Sequence, residues 1–185
     1  MINGAMRIFA QNGYDHASTD DMVKATGVSK GLWFYYFESK SGLFCFVATY
    51  VMRYAALEYS MLRIESDEDY FSVRMKIEQC KMKMIDLYPY LPLFLVELHT
   101  ERSPEVRKPL KDVVDKYETA LETVLVKCDF GKLQERTDML RVLRMLDYSL
   151  DAILRDCYAS SEVFSKEQYL KEAAKYIETA KELTL

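Results

Sequence analysis

Apolar residues recur along this chain with the spacing of helix faces. Ile2, Ala5, Met6, Phe9 and Ala10 fall at i, i+3 and i+4, which predicts a helix over 2–12 with Gly13 at its C-terminal stop. Ser18, followed three residues on by Asp21, has the spacing of a capping box. Met22, Val23 and Ala25 continue a short helix that ends at Gly27. Ser29 is the N-cap candidate for a second short helix, from Lys30 to about Phe37. Two short helices joined by a tight glycine-containing turn are the outline of a helix-turn-helix.

Beyond Ser39 the pattern lengthens. Leu43, Phe44, Val47, Tyr50, Val51 and Tyr54 predict a helix over about 40–62, and Val73, Ile77, Cys80, Met84 and Leu87 another over about 69–88. Pro89 stops that helix, and Pro92 sits in the first turn of the next, about 91–101. Ser103 and Pro104 read as N-cap and first residue of a helix to about 127, with Pro109 expected to disturb its start. Asp129 to Gly131 is a break. Met139, Leu143, Leu146, Leu150, Ile153 and Cys157 line a helix over about 133–158, and Tyr169, Ala173, Ile177 and Ala180 one over about 166–183. The expectation is an all-α chain of about nine helices, three short and six mostly longer. It divides into residues 1–45 and 46–185, with no flexible linker composition at the joint.

Composition agrees with this class. Six glycines and four prolines in 185 residues are too few for an all-β chain with many tight turns. No apolar stretch approaches the ~20 residues that span a bilayer, so no membrane partner is expected. The first residues lack a charged region followed by an apolar one, so no signal peptide is expected. Cys45, Cys80, Cys128 and Cys157 form no CxxC pair, and His16 and His99 are the two imidazoles. Reduced thiols in a cytoplasmic protein are the reading. Catalytic residues, a metal site and a cofactor are all expected to be absent. The formal charge is −4, yet residues 1–45 are balanced: Arg7, Lys24, Lys30 and Lys40 face Asp15, Asp20, Asp21 and Glu38. Binding to DNA would have to rest on the placement of a few cations rather than on bulk charge.

Residues 1–47 resemble the DNA-binding domain of TetR-family transcriptional regulators, most closely over GVSKGLWFYYFESKSGLF, residues 27–44. Phe9, Gly13, Tyr14, Gly27, Val28, Tyr36, Phe37 and Lys40 agree with the family pattern in register. The resemblance implies an N-terminal three-helix helix-turn-helix domain and a C-terminal helical domain for ligand binding and dimerisation. It implies a ligand-responsive regulator, a repressor, released from a palindromic double-stranded operator by a small-molecule effector. Helices eight and nine of two chains would form the homodimer.

Eight residues become candidates for DNA. A helix starting at Ser29 would put its first turn into the major groove. Lys30 suits guanine O6 and N7, and Gly31 permits close backbone approach. Tyr35 and Tyr36 offer hydroxyls to phosphates and rings to sugar or thymine methyl. Lys40 is a phosphate clamp, and Thr19 matches a family phosphate contact at a helix N-terminus. Phe34 stands where the family usually has Tyr and Leu32 where it usually has Thr, so each loses a polar contact while Phe34 keeps an apolar one. Trp33 and Phe37 read as core. For the effector, Met84, Tyr88, Phe94, Leu98, Tyr117, Leu121, Met145 and Tyr148 lie on helices that would enclose a pocket, with ordinary core packing as the competing reading of each. Their Met and aromatic character favours an apolar or aromatic effector. A ligand-independent DNA-binding or protein-partner module on the same fold is the alternative.

Overall fold

The computed structural model describes residues 1–130, 138–160 and 164–184. Among them nine helices follow in order: α1 Ile2–His16, α2 Thr19–Thr26, α3 Lys30–Phe37, α4 Lys40–Ser60, α5 Tyr70–Met84, α6 Leu91–Thr100, α7 Pro104–Leu125, α8 Met139–Ser160 and α9 Lys166–Thr184. The all-α expectation holds. Asp129 and Phe130 lie outside any helix, as expected of the break, while Gly131 and the expected helix over 133–137 lie outside the described residues. Gly13, at φ 70° and ψ 176°, interrupts α1, and one further turn carries the chain to His16. Pro109 sits inside α7 without ending it.

The end of α5 differs as well. The α5 helix stops at Met84 rather than near residue 88, because the amides of Leu87 and Tyr88 both return to the Met84 carbonyl, at 3.3 and 3.0 Å. The residue before a proline is pushed out of helical geometry, so the chain has to unwind ahead of Pro89. Leu87, expected on the inward stripe, consequently stands 57% exposed.

The chain forms two compact units, one from Met1–Leu57 and Met84–Thr119, the other from Glu58–Lys83 and Ala120–Leu185. In the first, α1 packs on α2 and on α6. Its centre is aromatic. Phe9 of α1 meets Phe44 of α4 edge-on at 4.9 Å between ring centres, and Phe94 of α6 closes the triangle at 6.3 and 5.6 Å. Tyr14 adds a fourth ring against Phe44 at 5.1 Å. Phe9, Phe44 and Phe94 are all 2% exposed or less.

The second unit is built around a buried charge. Glu78 of α5 is fully buried. Tyr169 of α9 donates its hydroxyl to Glu78 Oε2 at 2.6 Å, while Lys81 and Arg74 approach Oε1 at 2.9 and 3.3 Å. Arg74 also pairs with Asp147 of α8 at 3.0 Å. Burial alone would raise the Glu78 carboxyl, but Lys81, Arg74 and the Tyr169 hydroxyl together hold it below the ordinary carboxylate range. The node thereby ties α5, α8 and α9 together. An ion group of this kind fixes geometry more than it adds stability.

Deleting a buried ring from the first unit removes contacts from three helices at once. Phe94→Ala is expected to cost about 3–5 kcal/mol of unfolding free energy, measured by urea denaturation. Leu at the same position should recover part of the loss. A loss under about 1 kcal/mol for the Ala variant would mean that the triangle does not hold these helices.

Candidate nucleic-acid interface

The α2 and α3 helices are set by three local devices. Ser18 Oγ accepts the amides of Asp20 and Asp21 at 3.2 and 3.4 Å, which caps α2. Gly27 ends α2 in the left-handed conformation, φ 67°, with its amide on the Val23 carbonyl at 3.0 Å. Ser29 Oγ accepts the Leu32 amide at 3.4 Å and caps α3. The exit from α3 is as tightly defined. Glu38 takes φ 61°, a costly conformation for a residue with a side chain. A Cβ at Gly42 would collide with the Phe37 carbonyl, so α4 can start this close to α3 only with glycine there.

One side of α3 is anchored and the other faces solvent. Trp33 is fully buried, with Phe34 and Phe37 edge-on to its indole at 5.3 and 6.0 Å. The expected core role of Trp33 holds, and Phe37 is half-buried. Around the remainder of the helix, Tyr35 is 78% exposed, Tyr36 66% and Leu32 48%, and Phe34, although it touches Trp33, is 39% exposed. Lys30 and Gly31 share the open side, and a Cβ at Gly31 would meet nothing within 4 Å. Thr19, in the first turn of α2, is half-buried.

The two lysines are differently placed. Lys30 Nζ lies 2.7 Å from Asp20 Oδ1 across an exposed gap, so a phosphate or base edge would have to replace a carboxylate. That lysine holds the Asp20 carboxyl below its ordinary range. Lys40 Nζ is turned inward. It donates to the carbonyls of Tyr14 and Asp15 at 2.8 and 3.1 Å and sits 4.5 Å above the centre of the Tyr14 ring. It therefore neutralises the carbonyl end of α1, a structural task that the phosphate-clamp reading did not include.

Tyr14 carries a second link. Its hydroxyl donates to Glu105 Oε2 of α7 at 2.7 Å. Burial, and then the bond to Glu105, push the Tyr14 hydroxyl up to about 12, while Glu105 is held below its ordinary 4.5 by that hydrogen bond. Next to it, Cys45 Sγ faces the Val106 carbonyl at 4.0 Å. Neither link has a signature in the sequence, because each joins residues more than 60 positions apart.

The effector candidates scatter. A cavity of about 600 Å³ lies among α4, α6 and α7, and Leu98 and Tyr117 line it. Phe94 belongs instead to the aromatic triangle, and Met84 is buried outside the cavity wall. Tyr88 is hydrogen-bonded to the Tyr50 hydroxyl, and Leu121 is half-buried in the second unit. Met145 and Tyr148 are 62% and 69% exposed, so they do not enclose a pocket in this chain. The buried stripe of α8 runs through Leu146, Leu150, Leu154 and Cys157, and both residues lie off it. Met52, Leu95, Val106, Leu110 and Val114 also line the cavity, and nothing in the sequence marks them, since their apolar spacing is that of any core helix. Among the described residues, no group of three or more His, Cys, Asp or Glu gathers to hold a metal. Nor is any described helix long and apolar enough to cross a membrane.

A capped helix pair carried on α1, with one helix presenting exposed side chains, has the arrangement of a helix-turn-helix domain. Residues 1–45 match the bacterial regulatory proteins of the tetR family. What this match covers is the N-terminal domain, residues 1–45 of 185. A curated relative, the uncharacterized HTH-type transcriptional regulator YvdT of Bacillus subtilis (strain 168), is 30% identical over 73 residues, which are 40% of this chain. The match spans 37% of the length of that relative. The crystal structure of the TetR family transcriptional regulator PfmR from Thermus thermophilus shares the fold. Its TM-score is 0.58 at 17% identity, over 97% of this chain and 95% of that one.

Two outcomes follow for the lysines and the tyrosine. Lys40→Ala should lower unfolding free energy by about 1–3 kcal/mol through its lost charged hydrogen bonds, whereas Lys30→Ala should leave the thermal midpoint in place. Equal midpoints for both, read by calorimetry, would remove the capping role of Lys40. The Tyr14–Glu105 bond should be intact near neutrality. The share of stability due to Tyr14 is full below its ordinary 10.0 and is lost as pH rises through about 12. The share due to Glu105 is full above 4.5 and is lost as pH falls through its lowered value. A Tyr14→Phe variant should lack the Tyr14 share of this dependence in pH-resolved urea titrations.

Proposed function

We propose that this chain is a ligand-responsive, DNA-binding transcriptional regulator acting as a cytoplasmic homodimer. In this reading it is a repressor that a small apolar or aromatic effector releases from a palindromic operator. The observation that carries the reading is the solvent-facing side of α3, where Lys30, Gly31, Leu32, Phe34, Tyr35 and Tyr36 are presented by a helix whose reverse side is locked by buried Trp33. Lys30 and the backbone at Gly31 serve base edges. Leu32 and Phe34 serve thymine methyl groups, and Tyr35, Tyr36, Thr19 and the Ser29 hydroxyl serve phosphates. No reacting group is assigned, and the domain division at residue 45 belongs to the same proposal.

Release follows from a shared wall. The first turn of α7 supplies Pro104, Val106, Arg107 and Lys108 to the cavity, and in the same turn Glu105 holds Tyr14 of α1. A ligand that resets this turn acts on the helix against which α2 and α3 are built. It needs a higher affinity for the DNA-free arrangement, since equal affinity for both states shifts nothing. Dimerisation is supported by α8 and α9, which expose Leu140, Met145, Tyr148, Tyr176 and Leu183, an apolar set that water alone covers poorly.

The test starts with an operator selected from a random duplex pool. Tyr14→Phe should keep operator affinity within a few fold yet need more effector for release, and Met145→Glu/Tyr148→Glu should shift the solution mass from dimer to monomer. Binding to no selected sequence above random DNA would overturn the reading.

A further inference from the structure

The cavity among α4, α6 and α7 has an apolar floor and a charged mouth. Met52, Leu95, Val106, Leu110 and Tyr117 line it and are each no more than 4% exposed. Around the opening stand Arg102, Arg107, Lys108 and Lys111, against Glu101, Asp115 and Glu118. Three of these charges are already engaged locally. Lys111 pairs with Asp115 at 2.6 Å, and Glu101 accepts the Ser103 amide at 2.6 Å. Arg102, Arg107 and Lys108 are exposed, and their side chains make no ion pair or hydrogen bond among the described residues. They fall within seven consecutive residues, 102–108, the stretch that forms the opening of α7 and the cavity wall.

We infer that the cavity takes an amphipathic anion, with an apolar body on the Met52–Leu95–Leu110 floor and a carboxylate or phosphate head held by Arg102, Arg107 and Lys108. A volume of about 600 Å³ is within the range of small-molecule sites. The arginine guanidinium forks match carboxylate and phosphate oxygens, and the lysine adds a point charge. A neutral apolar molecule would fill the floor and leave all three cations unused. A cationic one would meet them as like charges. This inference rests on the effector-site reading above and adds the charge of the ligand to it. It also supplies the reason for release, because the anion would draw on Arg107 and Lys108, which lie beside Glu105 in the turn that holds Tyr14.

The experiment uses the full chain and calorimetric titration with four probes that share one tail: dodecanoate, dodecyl phosphate, dodecanol and dodecylammonium, each below its micelle-forming concentration. At least one of the two anions should bind tenfold or more tighter than dodecanol, with dodecylammonium weakest. Their ratio identifies the head group. Arg107→Gln/Lys108→Gln, on exposed positions, should erase the anion preference while dodecanol affinity stays put. Val114→Phe, which fills the cavity from a half-buried position, should weaken all four. Equal binding of dodecanol and both anions, or an anion preference that survives the double substitution, would overturn the inference. So would anion binding that Val114→Phe leaves unchanged, with its fold verified by circular dichroism. The effector reading is checked separately on the selected operator. Tight anion binding that leaves operator affinity unmoved would overturn release while the ligand class stood, and release driven as well by dodecanol would do the reverse.

Discussion

Three phenylalanine rings hold the helix-turn-helix pair to the rest of its unit. Phe9, Phe44 and Phe94 come from α1, α4 and α6, and each is buried against the other two. The α2 and α3 helices are short, eight residues apiece, and isolated helices of that length are unstable in water. They persist because α1 carries them, through the close approach at Gly4, where a Cβ would lie 2.7 Å from the Ala25 carbonyl. The α1 helix is in turn fixed by its aromatic contacts. Orientation of the exposed α3 face therefore depends on rings outside α3, one of which, Phe94, lies far along the chain.

Electrostatic links then refine what packing establishes. Lys40 closes the carbonyl end of α1, and the Tyr14–Glu105 hydrogen bond fastens that same end to α7. Both use partly buried groups, where a charged hydrogen bond is worth more than on an open surface. The second unit does the comparable work with the Glu78 node, in which one carboxylate serves partners on α5 and α9 and shares Arg74 with α8.

Local features of this fold were legible in the sequence and distant ones were not. The caps at Ser18 and Ser29, the stop at Gly27 and the buried side of α3 follow from spacing and turn chemistry within a few residues. The end of α5 departs from its apolar period because Leu87 continues that period while the constraint imposed by Pro89 on its neighbours outweighs it. Phe94, Met145 and Tyr148 share the residue types of a pocket lining. Aromatic and methionine side chains fill cores, cover interfaces and line cavities alike, so type alone does not separate these fates. The cation-rimmed mouth of the cavity has no sequence signature, because Arg102, Arg107 and Lys108 gather at it only when α6 is folded beside the start of α7.

The pairing of Lys30 with Asp20 bears on how such a protein would find its site. Four side-chain cations and four carboxylates make residues 1–45 a neutral surface. Non-specific attraction to a duplex comes almost entirely from cations displacing condensed counterions. A neutral reading head is held only weakly by random sequence, so it spends little time sliding on the bulk of a chromosome. If Lys30 reads DNA as proposed, discrimination would come from the register in which a guanine edge takes the place of the Asp20 carboxylate, and occupancy of the right site would depend less on a large surplus of protein than for a strongly basic domain.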